Sequence, residues 1–217
     1  MKYGVLGTGD VARTIAGKLA ELGHEVRMGS RRDNNHSAAG SIARNGGWIS
    51  YGTFSDAASF GERIFCCVHG IYVLEALHDA GDANLAGKLL IDLSNPFLYK
   101  DGNVSLDPRY SGWNSLGEEV QRLLPRTKVV KTLNYLCHHL MTNPGMLPEP
   151  VTGFYCGNDV QAKQAVLALL EDFGWTDTMD LGDISRSRYT EMLGAFWPAV
   201  YGSAEHMDWG FRLIRKK

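Results

Sequence analysis

The chain has 217 residues, of which 44% are hydrophobic and 21% charged, with 22 Lys and Arg set against 24 Asp and Glu for a net charge of −2. That balance argues against nucleic acid or an anionic membrane surface as the main partner, and the apolar content is that of a folded globular chain. No apolar run approaches the ~20 residues of a membrane span, and an apolar run begins almost at Met1, so the expectation is no leader, no membrane association and a cytoplasmic location.

Lys2 to Gly7 reads as a strand ending in glycine. Val11, Ile15, Ala16, Leu19 and Leu22 recur at helical spacing and predict a helix over Asp10–Leu22, stopped by Gly23. Glu25–Gly29 is a second strand, His36–Asn45 a helix ended by Gly46-Gly47, and Trp48–Tyr51 a third strand. A short helix starts at Ser55-Asp56, followed by a strand over Ile64–Val68, a helix over Tyr72–Ala80 and a strand over Lys88–Leu93. Asp101–Asn114 reads as a polar surface loop, Leu116–Leu124 as a helix and Lys128–Leu133 as a sixth strand. The proline-rich stretch His138–Pro150 reads as a bridge to a strand over Val151–Cys156, a helix over Val160–Phe173, a strand near Thr178–Leu181 and a last helix over Arg186–Gly202. The basic end, Arg212–Lys217, reads as a solvated tail. Apolar strands alternating with amphipathic helices predict an α/β fold with a doubly wound parallel sheet and a small C-terminal α+β addition.

The strongest local signal is Gly7-Thr8-Gly9-Asp10-Val11-Ala12, which fits G-x-G-x-x-A between a strand and a helix. Gly7 permits the tight turn, Gly9 lets the backbone approach a diphosphate, and Ala12 keeps the helix close to the sheet. The helix N-terminus then points its N–H groups at the anion. This is a Rossmann-type dinucleotide turn. At the end of the second strand, where an NAD site usually carries a carboxylate, stands Gly29-Ser30-Arg31-Arg32. A hydroxyl and two guanidinium groups suit a 2′-phosphate, so the expected cofactor is NADP(H). Ligands in such sheets lie outside the carboxyl ends of the strands, which adds Val68, His69, Asn95, Pro96 and Asn134 as candidate cofactor residues. Asn95 could serve the nicotinamide carboxamide or ribose, or only cap the turn before Pro96. His69 could donate a hydrogen bond or act as a general acid.

Cys137-His138-His139 has metal-ligand residue types, but adjacent side chains rarely converge on one ion and no second half-motif is present, so no metal is expected. Cys66, Cys67, Cys137 and Cys156 form no C-x-x-C pair and read as reduced structural thiols. The aromatic residues Trp197, Tyr201, Trp209 and Phe211 could form a dimer interface or pack the chain's own last helix.

Further blocks accompany the dinucleotide turn: L-A-G-K-L-L-I-D-L-S-N-P at Leu85–Pro96, S-L-G-E-E-V-Q at Ser115–Gln121, V-V-K-T-L-N at Val129–Asn134 and M-T-N-P at Met141–Pro144. C-G-N-D-x-x-A-K at Cys156–Lys163, F-G-W at Phe173–Trp175, D-L-G-D-I at Asp180–Ile184 and T-E-M at Thr190–Met192 extend the set almost to the C-terminus. Together with V-L-G-T-G-D-V-A at Val5–Ala12 and G-S-R-R at Gly29–Arg32, they resemble the bacterial branch of the coenzyme F420:NADP oxidoreductase-like family, the deazaflavin-dependent NADP reductases. The reductase domain of the six-transmembrane metalloreductases is a more distant resemblance. The first resemblance implies an NADP-binding Rossmann domain over residues 1–145 and a smaller segment over 146–217 that completes the acceptor site. It implies NADP(H) held by Thr8, Ser30 and Arg31, with the diphosphate over Gly9, Asp10 and Val11, and direct hydride transfer to or from a small-molecule redox acceptor, coenzyme F420 or a flavin, stacked on the nicotinamide. The acceptor pocket it implies draws on Val68–Gly70, Asn95–Phe97, Asn134–His138 and the last helix, in a homodimer. The chain departs from the family's pattern in having His69 where a proline is usual and bulky Tyr135 where a small residue is. The readings left beside it are an NADPH-dependent reductase of another small substrate and a non-catalytic NADP(H) sensor.

Overall fold

Tyr3, Val5 and Leu6 are almost wholly buried and form β1 (Lys2–Leu6), an interior strand of the sheet. In the computed structural model, residues 1–32, 49–204 and 206–216 are described; the expected helix over 36–45, the glycine pair after it and Trp48 lie outside them. β1 pairs in parallel with β2 (Glu25–Ser30) on one side and β4 (Arg63–Cys66) on the other. β3 (Ile49–Thr53), β5 (Leu89–Asp92) and β8 (Lys128–Thr132) complete a parallel run in the order β3-β2-β1-β4-β5-β8, the doubly wound arrangement. β9 (Thr152–Gly157) then adds antiparallel to β8, and β10 (Asp177–Asp180) parallel to β9.

Helices cover both faces. On one lie α1 (Asp10–Glu21) and α7 (Val160–Asp172), whose Ile15, Ala16, Leu19, Val166 and Leu170 join the core. On the other lie α2 (Phe54–Phe60), α3 (Val73–Ala80), the short α4 (Asp82–Leu85) and α5 (Leu116–Leu123), around Ile64, Leu77, Leu90 and Val120. Each large side chain buried this way stabilises the fold by roughly 1.5–3 kcal/mol. Thr53 starts α2 with a full capping box with Asp56. After β8 come α6 (His138–Thr142) and, last, α8 (Ser187–Ala204).

Two sequence expectations need correction. Asp101–Asn114 is no featureless loop: β6 (Phe97–Lys100) and β7 (Asn103–Leu106) form an antiparallel hairpin. Its turn is Asp101-Gly102, with φ of 51° and 76°, the paired left-handed geometry that two-residue hairpins require. Of the expected tail Arg212–Lys217, the described residues 212–216 are also not free. Thr152 N donates to Phe211 O at 2.8 Å, Leu213 N donates to Thr152 Oγ1 at 2.9 Å, and Arg215 pairs with Asp177 at 2.8 Å. Phe211 anchors this stretch by packing on Tyr135, Phe196 and Trp209.

Trp197 stacks on Tyr201 at 5.4 Å and on Trp209 at 5.9 Å, so these aromatic rings pack against one another within the chain. All four thiols are unpaired. Burial pushes those of Cys66 and Cys156 up to about 12, which keeps them protonated and unreactive.

Candidate active site

The carboxyl ends of β1, β2, β4 and β5 open onto a cleft of about 860 Å³. Its floor is the Gly7–Val11 turn. Gly7 sits at φ 119°, and a Cβ there would lie 2.8 Å from Cys67 O, so only glycine fits between the first and fourth strand ends. Gly7 N donates to Gly29 O at 2.9 Å, tying the turn to β2. Gly9 is the N-cap of α1, and no side chain caps that helix; a Cβ at Gly9 would meet nothing within 4 Å. The first N–H groups of α1 therefore face an open cradle, which fits a diphosphate. Arg13 brackets the turn, donating to Thr8 O at 2.9 Å and to Asp10 Oδ1 at 2.6 Å.

At the end of β2, Ser30, Arg31 and Arg32 line the cleft. The Ser30 hydroxyl donates to Arg32 O at 2.6 Å, shaping the turn. The Arg31 guanidinium lies over the Tyr72 ring, 5.5 Å from its centroid. Tyr72 faces His69 at 6.3 Å, and His69 faces Tyr99 at 5.6 Å. These rings run from the arginine end toward the β6–β7 hairpin. Burial holds the His69 imidazole below its ordinary pKa of 6.5, so the ring is neutral at neutral pH and is a poor proton donor. A working general acid is worth roughly 10²–10⁴-fold. His69→Gln is expected to lose far less than that, with an unchanged pH profile above about pH 7; loss of an ionisation from the profile would assign His69 an acid role after all.

The far wall depends on the ends of β5 and β8. Asn95 Nδ2 donates to Asn134 O at 2.5 Å, and Asn134 Nδ2 donates to Asn95 Oδ1 at 2.7 Å. Leu133, just before, holds a left-handed φ of 60° although it carries a full side chain, and burial keeps it there. Gly194 of α8 lies against the asparagine pair: a Cβ there would come within 2.9 Å of Asn95 Oδ1 and 3.0 Å of Asn134 O. The last helix thus seals this end of the crevice. Asn134 Oδ1 is buried without a hydrogen-bond partner.

Beneath this wall is an ionic cluster that the sequence did not disclose. Lys131 Nζ lies 2.8 Å from Asp92 Oδ2 and 3.0 Å from Glu191 Oε1, all three side chains being buried. Burial pulls the Lys131 ammonium toward neutrality, but the two carboxylates outweigh it and hold its pKa above the ordinary lysine value. Asp92 also accepts from Ser94 N and Oγ at 2.9 and 2.6 Å, while Glu191 accepts from Leu116 N and Gly117 N at 3.0 and 2.9 Å. Every charge has partners, as burial demands. The cluster fixes the Ser94-Asn95 turn to β8, α5 and α8.

The cleft brings together Gly7, Thr8, Gly9, Asp10 and Val11 with Ser30, Arg31, Arg32, Val68, His69 and Asn95. Pro96 and Asn134 do not line it; Asn134 reaches it only through its bonds to Asn95. The expected acceptor wall over Asn134–His138 also turns inward. Tyr135 is buried, its hydroxyl donating to Thr152 O at 3.1 Å and accepting from Phe154 N at 2.6 Å, so its bulk does not fill the cleft. Phe97 of the hairpin lines the cleft, as expected of the Asn95–Phe97 turn, whereas Glu75 and Asp79 of α3 line it unforeseen; their i, i+4 spacing was the available signal for the two carboxylates. The expectation that Cys137, His138 and His139 diverge does not hold, because α6 begins at His138 and its turn brings ligand atoms of all three within 4.8 Å of one another.

A model of the family "NADP oxidoreductase coenzyme F420-dependent" matches residues 2–96. The chain is 38% identical to a protein of Arthrobacter sp. FB24 provisionally named an F420-dependent NADP reductase, whose crystal structure aligns over 99% of this chain and 100% of that one with a TM-score of 0.93. The chain belongs to the F420-dependent NADP oxidoreductase family. As a member of that family it is an NADP-dependent oxidoreductase. It is 26% identical over 203 residues to the F420-dependent NADP reductase of Methanocaldococcus jannaschii, covering 89% of each chain. It is also 31% identical over 194 residues to rat metalloreductase STEAP3, of whose length it spans 36%. Among the described residues no helix is long and apolar enough to cross a membrane.

Proposed function

We propose that the chain transfers hydride between NADP(H) and a deazaflavin- or flavin-like ring bound beside it in the cleft. The observation that carries this reading is the single crevice that runs from an uncapped helix N-terminus, past two arginines, to the neutral His69 and the Asn95 turn. Gly7 to Val11 would hold the diphosphate through backbone N–H groups. Arg31 and Arg32 would hold the 2′-phosphate, with the Tyr72 ring under Arg31 limiting its freedom. When bound, NADPH supplies a hydride, a proton and two electrons moved together. The chain's own residues need only orient the two rings and exclude water, which matches a cleft whose Cys67 thiol is held protonated by burial and whose His69 is neutral.

The test is anaerobic NADPH oxidation followed by absorbance, with coenzyme F420, FMN and FAD offered separately. Turnover with one of these rings, and with NADPH in preference to NADH, is the expected result. Turnover confined to carbonyl compounds, or NADPH binding with no turnover at all, would replace this reading with a different reductase or a sensor.

A further inference from the structure

Outside the cleft, α6 and the stretch after α8 bring together soft donor atoms that the hydride-transfer chemistry does not use. Ligand atoms of Cys137, His138 and His139 lie within 4.8 Å of one another. Cys137 Sγ is 3.2 Å from His139 Nδ1 and 3.6 Å from Met207 Sδ. Donors held ~2.0–2.3 Å from one tetrahedral centre stand roughly 3.3–3.8 Å apart, so these separations need little adjustment to close on an ion.

The supporting groups are also those of a metal site. His139 Nε2 lies 2.5 Å from Asp208 Oδ1. A carboxylate there takes the Nε2–H, so the lone pair sits on Nδ1, the nitrogen that faces the sulfur. The His138 ring is oriented by Thr14 of α1, whose hydroxyl is 2.8 Å from Nδ1. A simple thiol–imidazole hydrogen bond would need neither the second histidine nor the thioether. Cys137 is buried and Met207 is 40% exposed, so the group has a dry thiol side and an approach from solvent.

We propose that Cys137, His138, His139 and Met207 form a binding site for a soft metal ion, copper(I). Two sulfurs and two imidazoles exclude magnesium and calcium, which take oxygen ligands, and the thioether favours copper(I) over zinc. Binding converts the Cys137 thiol to a metal-bound thiolate and releases one proton to solvent, with no change of oxidation state.

The experiment uses the full chain, reduced and anaerobic, titrated with copper(I) in competition with a chromogenic copper(I) chelator. One copper per chain is expected to resist the chelator, with sulfur and nitrogen neighbours in its X-ray absorption spectrum. His139→Ala and Met207→Leu, both at partly exposed positions, are each expected to weaken copper(I) at least tenfold at unchanged thermal stability, and Cys137→Ser to abolish the site. Failure of the wild-type chain to hold copper against the chelator, or equal retention in wild type and both partly exposed variants, would overturn the proposal. Zinc held more tightly than copper and unaffected by Met207→Leu would overturn the assignment to copper.

Discussion

Replacing Lys131 with methionine is expected to destabilise the fold by about 3–5 kcal/mol, the cost of leaving buried charge without its partner. At this chain length each kcal/mol lowers Tm by about 2–4 °C. Asp92 and Glu191 would then face each other across an apolar side chain, with only their hydrogen bonds to Ser94, Leu116 and Gly117 remaining. Adding Glu191→Gln should recover part of the loss, because it removes one unpaired buried charge while its amide oxygen still accepts from one of the two N–H groups, Leu116 N or Gly117 N. The pH dependence has a definite sign. The Lys131 pKa is raised on folding, so its contribution is complete below the ordinary lysine value of 10.5 and is lost as pH rises through the folded value. Urea midpoints measured with increasing alkalinity should fall for wild type by a route that Lys131→Met lacks. A loss below about 1 kcal/mol in the single variant, the size of an exposed pair, would show that the cluster is not buried in solution.

Arg31→Ala is expected to weaken NADPH by about 1.5–3 kcal/mol, the worth of hydrogen bonds to a charged group, which is roughly a tenfold to hundredfold rise in Kd. NADH, which lacks the 2′-phosphate, should be almost unaffected. The guanidinium already lies over Tyr72, so it is held near the adenosine end before any ligand arrives. Fluorescence titration with both cofactors decides the matter. Equal losses for the two would place Arg31 outside phosphate recognition and undo the NADP preference read from Gly29–Arg32.

The parts of this molecule that were legible in its sequence are those set by local chemistry. Gly7-Thr8-Gly9 declares its turn because φ 119° at Gly7 is a backbone conformation that favours glycine, a local constraint, which the non-local approach of Cys67 O only reinforces. Strands β1, β4 and β5 were legible because a sheet covered on both faces demands continuous apolar runs. The β6–β7 hairpin was missed although Asp101-Gly102 is a hairpin turn pair, since its strands are only four residues each and the second, Asn103–Leu106, alternates polar residues in a stretch that reads as loop. Lys131 was invisible for a different reason. A lysine in an apolar strand looks like an outward-facing residue, and its partners Asp92 and Glu191 lie far away in sequence. The convergence of Cys137 with His139 and Met207 likewise depends on where α6 starts and on where the chain returns after α8, and adjacency alone carries neither. The Asn95–Asn134 pair joins residues 39 positions apart; both were identified as strand-end candidates, but their mutual bonding needed the fold.

Hydride transfer within the cleft is tested most directly by following the hydrogen itself. NADPH carrying deuterium at C4, prepared separately for each face of the ring, is mixed anaerobically with the protein and coenzyme F420 in ordinary water. The reduced deazaflavin is then examined by mass spectrometry. A deazaflavin accepts hydride on carbon, where the label does not exchange. Deuterium is expected in the product from one labelled face and not from the other. Turnover that places only solvent hydrogen in the product, or label arriving equally from both faces, would contradict direct transfer.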